Sequence, residues 1–283
     1  MKILLSIVFI LLVTLVPEAG FSQKPLFTSP IGLQTYTFRR SIGKEPAKVL
    51  DTIRSMGITE IEGFSQSMKP EEFKKLCDER GLSIPSAGAG YEELINKTDS
   101  VIYKAKALGA KYVMCAWIPH KVGSFNFDNA KKAVADFNKA GKILKENGLT
   151  LCYHAHGYEF WPHEGGTLLD YIIQNTNPDY VSFEMDIMWI HFGGGDPAAL
   201  LKKYGDRWKL MHVKDLKKGT KKDLTGLTSP ENDVAVGTGE LDIPAIIKEA
   251  KKVGIKHYFI EDESSRIIEQ IPLTIMYLKS LRE

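Results

Sequence analysis

Cysteine is scarce in this 283-residue sequence: Cys77, Cys115 and Cys152 are scattered along the chain and odd in number. That excludes a disulfide framework and a cysteine zinc cluster, and leaves three small, buried apolar side chains. A surplus of one charge is missing as well. The 37 Lys and Arg residues face 35 Asp and Glu, a balance of +2, too little field to hold nucleic acid or an anionic membrane. No apolar run reaches the roughly 20 residues of a membrane span. No Pro/Ser-rich linker divides the chain. A glycine-rich phosphate-binding turn is absent from "IGLQTYTFRR", the first strand and its exit, which argues against an open doubly wound sheet.

What is there begins with a leader. Met1-Lys2 is basic, Ile3 to Val16 is apolar apart from Ser6 and Thr14, and "PEAGFSQ" places Gly20 and Ser22 for cleavage before Gln23. Residues 1–22 therefore read as a secretory signal peptide, and the mature protein as periplasmic or secreted, with no membrane attachment after cleavage. No cysteine follows the apolar run, so a lipoprotein anchor is not indicated. The remaining 23–283, about 260 residues, suit a single large α/β domain.

One pattern recurs: an amphipathic helix, a glycine, then a short apolar strand. It appears in "RSMGITEIEGF", "DERGLSIPSAG", "KALGAKYVMCAW", "KENGLTLCYHAH" and "KKVGIKHYFIED". Gly57, Gly81, Gly109, Gly148 and Gly254 stand where a helix end needs positive φ. Strands are expected at Gly32–Phe38, Glu60–Phe64, Leu82–Ala87, Tyr112–Trp117, Thr150–His156, Val181–Asp186, Leu210–Val213 and Tyr258–Glu261. Helices are expected at Pro46–Met56, Glu71–Arg80, Glu92–Leu108, Asn129–Asn147 and Ile267–Leu281. Eight alternating units predict a (β/α)8 TIM barrel. The stretch Asp215 to Asp242 follows strand seven as a long loop, expected over the active face.

In such a barrel the chemistry sits at the C-terminal strand ends. Strand two ends at Glu62; strand five carries His154 and His156, with Glu159 beyond; strand six ends at Asp186, with Trp189 beyond; strand seven carries His212 and Lys214; strand eight ends at Glu261. Burying such groups unpaired is costly, yet they gather at one end of successive strands. Any one of them has a bland explanation as a cap, an ion pair or a bonded core histidine. The set points to a metal centre of His154, Asp186, His212 and Glu261, suited to Mn2+, Co2+, Mg2+ or Zn2+. His156 remains an alternative to His154 as the strand-five ligand. His156, Glu159, Glu261 and Lys214 are the candidate acid–base groups. Trp189, Trp117, Tyr36 and Glu62 are candidates to contact substrate. Gly193–Gly195 before Asp196-Pro197 reads as a turn with a helix cap.

With "IGLQTYTFR", "YHAHGYEF", "EMDIMWIHFGGGDP", "HVKD", "VGTGELDIPAII" and "FIEDE" in this order, the mature chain resembles the xylose isomerase-like barrels, the sugar phosphate isomerase/epimerase family. Its relatives include tagatose/psicose epimerases, inosose dehydratases and endonuclease IV. The resemblance implies one divalent ion, with Asp186, His212 and Glu261 matching three of the family's ligands. His154 stands where the epimerases have a glutamate that is both ligand and base. It departs from the two-carboxylate pattern and looks like the dehydratase and keto-glycoside lyase branches.

The resemblance therefore implies a metal-dependent isomerase or epimerase of a keto-sugar acting through an enediolate. The alternative is a lyase or hydratase of 3-keto-sugars or 3-keto-glycosides, and a third reading is a non-catalytic sugar-binding barrel. Export favours an unphosphorylated carbohydrate as the small-molecule partner. Seven histidines and a near-neutral chain argue against a three-metal nuclease. A homo-oligomer is left open.

Overall fold

The computed structural model describes residues 23–283; the expected signal peptide, 1–22, lies outside the described residues. Eight strands close into a barrel: β1 (Ile31–Gln34), β2 (Glu60–Glu62), β3 (Ser83–Gly88), β4 (Tyr112–Cys115), β5 (Thr150–His154), β6 (Val181–Asp186), β7 (Trp208–Val213) and β8 (His257–Ile260). Every barrel pairing is parallel, and β1 closes the ring by pairing with both β2 and β8. Helices connect the strands because a parallel neighbour is reached only by a crossover. The five helix-ending glycines have φ between +64° and +86°, the left-handed turn that lets the chain drop from helix into strand.

Strands two, four and five stop at Glu62, Cys115 and His154, two residues short of expectation, so His156 lies just beyond its strand, and two differences are larger. The first strand stops at Gln34, whose side-chain oxygen accepts from the Tyr36 amide at 3.2 Å; this turns Thr35–Phe38 into a 3-10 helix rather than more strand. The expected helix Glu92–Leu108 is two, Tyr91–Asn96 and Thr98–Leu108. Lys97 breaks it with φ −138° and ψ 43°.

Two cores result. Outside the strands, helices such as Pro46–Ser55 press Leu50 and Ile53 into one continuous apolar layer. Inside the ring, Cys152, Leu210 and Phe259 form a separate small cluster. Phe259 needs Gly32 opposite it, since a Cβ there would come within 2.5 Å of the Phe259 ring. Alternation then sends the residues two further on to the same side: His154 after Cys152, His212 after Leu210, Glu261 after Phe259. The barrel interior is thus apolar in the middle and polar at its C-terminal rim. All three cysteines are free and buried. Among the described residues no helix is long and apolar enough to cross a membrane.

The long segment after β7 folds back on itself. Asp215–Leu216 pairs antiparallel with Asp233–Val234. Both Asp215 oxygens accept backbone amides, Leu216 and Leu241 on one, Gly237 and Gly239 on the other. This draws residues 226–233 over the barrel mouth.

Candidate active site

The strand register sets the site. His154 of β5 is level with Glu184 of β6, and Asp186 of β6 is level with His212 of β7. Glu62, His154, Glu184, Asp186, His212, Lys214 and Glu261 are all buried. Two overlapping donor groups emerge, His154–Glu184–His212 and Asp186–His212–Glu261, each with ligand atoms within 4.8 Å of one another.

Contacts within the cluster are specific. His154 Nδ1 lies 2.9 Å from Glu184 Oε2, and its Nε2 lies 3.7 Å from Asp186 Oδ2. His212 Nε2 lies 2.6 Å from Glu62 Oε2, while its Nδ1 lies 3.2 Å from Glu261 Oε2 and 3.7 Å from Asp186 Oδ2. Asp186 Oδ1 caps the next helix by accepting from the Met188 and Trp189 amides, both at 2.9 Å. Its other oxygen, Oδ2, is buried without a hydrogen-bond partner, as are Glu62 Oε1 and Glu184 Oε1.

The electrostatics are lopsided. Burial, and then the charge of Glu62, push the Glu184 carboxyl well above its usual range. Burial raises Asp186 to about 6. Burial would also raise Glu261, but the Lys214 ammonium and the His212 ring outweigh it and hold Glu261 well below its usual value. Burial opposes charge on His212 too, yet Glu184 and Glu261 hold its imidazole well above the ordinary value. Burial and the neighbouring His212 keep His154 neutral. Lys214 keeps its charge against burial because Asp233, Glu261 and Glu263 surround it, at 3.5, 3.1 and 3.0 Å. Four buried carboxylates thus face too few cations, and three of their oxygens lack partners. Donors on a common tetrahedral ion stand about 3.4 Å apart for bonds near 2.1 Å, close to the 3.2 and 3.7 Å found here. The donor set fits a divalent cation.

A cavity of about 580 Å³ opens over this rim, lined by His154, His156, His212 and Glu261. Trp117, Trp189 and Tyr36 also line it; Gly226, Leu227, Thr228, Pro230 and Asp233 come from the long segment after β7. His156 stacks on Trp189, ring centres 5.3 Å apart, and its Nδ1 has no partner. Burial and then Lys214 push this imidazole down to about 3, so it stays neutral instead of titrating near working pH. Asp233 is raised by burial to about 7.

Three expectations change on this geometry. Glu159 is fully buried and absent from the cavity wall. It accepts from the Tyr153 hydroxyl and the His156 amide, so it holds the loop rather than meeting substrate. Glu62 also lies below the wall, tied to His212 and to Gln34 Nε2 at 2.6 Å, out of reach of sugar hydroxyls. Lys214, expected as an acid–base group, is buried under Trp189, 5.4 Å from the ring centre; it acts on its carboxylate partners, not directly in the cavity. Glu184 went unnoticed in the sequence, although it lies two residues before Asp186 and so on the same face of the strand. Asp196 caps the helix Pro197–Tyr204 through the Ala199 amide at 3.0 Å, so the glycines before it form a turn.

Fold and rim together define a TIM barrel with an acidic, imidazole-bearing metal-type site at the C-terminal face. The family model for the xylose isomerase-like TIM barrel matches residues 50–280, and the chain belongs to that family. The chain is 25% identical over 255 residues to an inosose dehydratase of Lacticaseibacillus casei, covering 77% of this chain and 83% of that one. A crystal structure described as a sugar phosphate isomerase/epimerase of Parabacteroides distasonis superimposes with a TM-score of 0.74 at 24% identity, over 90% of this chain and 99% of that one. A second from the same organism, described alike, gives 0.70 at 26% identity, over 89% and 96%. An enzyme of small sugar-like substrates is the common ground; these relatives span lyase and isomerase chemistry.

Proposed function

We propose that this protein is a divalent-metal-dependent carbon–oxygen lyase, or in reverse a hydratase, of an unphosphorylated polyhydroxy ketone, exported to the periplasm or beyond. The observation that carries the reading is on β5. A reaction that shuttles one proton between two carboxylates needs a glutamate there; this chain has His154, tied to Glu184, with the neutral His156, its Nδ1 without a partner, next to it in the cavity. The likeness to inosose dehydratase over most of both chains supports elimination further.

Asp186, His212 and Glu261, with His154, would hold the cation, which would supply Lewis-acid polarisation of a substrate carbonyl. The remaining chemistry belongs to side chains. Trp117, Trp189 and Tyr36 present aromatic faces to the C–H side of the substrate. His156 accepts the proton from the carbon beside the carbonyl. The electron pair left behind forms the C=C bond as the β C–O bond breaks, and Asp233, protonated in part near neutral pH, gives its proton to the departing oxygen. Lys214 keeps Glu261 ionised beside them.

A second reading, isomerisation or epimerisation, draws on the Parabacteroides neighbours. Product mass separates the two. The purified protein with Mn2+ is incubated with a keto-inositol, a 3-keto-glucoside and a free ketose. Elimination yields a product lighter by water or by the aglycone, and this is the expected outcome. A product of unchanged mass and altered retention would replace it with the isomerase reading.

A further inference from the structure

Two buried carboxylates remain without a task in that chemistry. Glu62 and Glu184 do not line the cavity, yet both face ring nitrogens of the rim histidines, and Glu184 Oε2 also lies 3.3 Å from His212 Nε2. Glu184 Oε2 takes His154 Nδ1 at 2.9 Å, and Glu62 Oε2 takes His212 Nε2 at 2.6 Å. A carboxylate accepts, so with a cation in the rim the nitrogens facing Glu184 and Glu62 carry the hydrogens and the other two present lone pairs. Those other nitrogens, His154 Nε2 and His212 Nδ1, both lie 3.7 Å from the partnerless Asp186 Oδ2, and His212 Nδ1 also lies 3.2 Å from Glu261 Oε2, the fourth donor. Opposite ring atoms are used on the two histidines, and both choices aim a lone pair at the same oxygen. Gln34 Nε2, donating to Glu62 Oε2 at 2.6 Å, pins Glu62 from the far side.

We infer that Glu184 and Glu62 are positioning residues that fix the tautomers of His154 and His212, so that His154 Nε2 and His212 Nδ1 share one cation with Asp186 Oδ2. This rests on the divalent-cation reading above. It separates the acids of the rim by role: Asp186 and Glu261 hold the ion, and Glu184 and Glu62 hold the histidines. The rival assignment makes Glu184 itself a ligand, in the group His154–Glu184–His212.

The two assignments differ in what glutamine can replace. An amide oxygen still accepts an imidazole N–H, but it is a poor substitute for an anionic ligand. The mature protein is titrated with Co2+, reading stoichiometry, visible ligand-field absorption and affinity against a competing chelator. One ion per chain is expected for wild type. Glu184→Ala and Glu62→Ala should bind it 10–100-fold more weakly, the usual loss for an orienting partner. Glu184→Gln and Glu62→Gln should regain most of that affinity with the wild-type spectrum. Asp186→Asn should match Asp186→Ala, with an altered spectrum or no ion. The inference is overturned if Glu184→Gln is as damaging as Glu184→Ala, if it shifts the absorption bands as Asp186→Asn does, or if wild type takes two ions. Wild type that binds no Co2+ while folded by circular dichroism overturns the cation reading itself, a different result from any of these.

Discussion

Glu159 shows how a single carboxylate is assigned by its surroundings. In sequence it stands three residues past His156 and reads as an acid–base group. In the structure the Tyr153 hydroxyl and the His156 amide donate to its oxygens, the Tyr158 hydroxyl donates to Tyr153 at 2.9 Å, and the Ile118 amide donates to Tyr158 at 2.8 Å. Burial raises its carboxyl from 4.5 to about 7. The folded state therefore holds this proton more tightly than the unfolded chain does. The resulting stabilisation is complete below about pH 4.5 and is lost as pH rises through about 7, a change on the order of 3 kcal/mol. Glu159→Gln should flatten that part of the profile. Urea denaturation of both proteins between pH 4.5 and 8 measures it, and parallel profiles would show that Glu159 is ionised throughout. Glu184 carries the complementary lesson: its place on the rim was within reach of simple strand alternation, but its partner, His154, is set by the register between β5 and β6, which no single strand reveals.

At the scale of elements, the repeating helix–glycine–strand unit was legible because its causes are local: an amphipathic period, a residue free to take positive φ, an apolar run. The turn after β5 was not legible in this way. The helix Ile187–Phe192 after β6 packs its backbone directly against that turn. Gly157 has φ +85°, and a Cβ there would run into the Trp189 carbonyl oxygen and sit 3.1 Å from the Gly193 amide. That contact brings His156 onto the Trp189 ring. Gly157→Ala should cost about 3 kcal/mol or more and disturb the cavity, since both walls are backbone. Gly148→Ala, at φ +78° with open space around it, should cost only about 1–2 kcal/mol. Chemical denaturation of the pair, with tryptophan fluorescence to follow Trp189, checks the contrast; equal losses would mean that the close approach carries no weight.

On the scale of the whole molecule, the rim concentrates like charge in a low-dielectric place, and a bound cation would relieve it. A ligand at about 100 times its dissociation constant adds about 2.7 kcal/mol to folding, or about 5–10 °C in melting temperature for a domain of this size. Chelator treatment should lower the melting temperature by that amount, Mn2+ or Co2+ should restore it, and Asp186→Ala should abolish the response. Calorimetry with and without chelator decides; an unchanged melting temperature in wild type would contradict a resident ion.

By itself the sequence determined the period of its elements, and from that the closed barrel, the end of the barrel where buried polar groups gather, and the presence of His154, Asp186, His212 and Glu261 on that rim. These come from local geometry, because alternation and helix ends are written within a few residues of chain. Tertiary structure alone decided which ring nitrogen of each histidine faces Asp186, why Glu62, Glu159 and Lys214 lie beneath the cavity wall, and how the segment after β7 covers it. Those are matters of register and of packing between elements far apart in the chain, where a shift of one residue reverses every side chain.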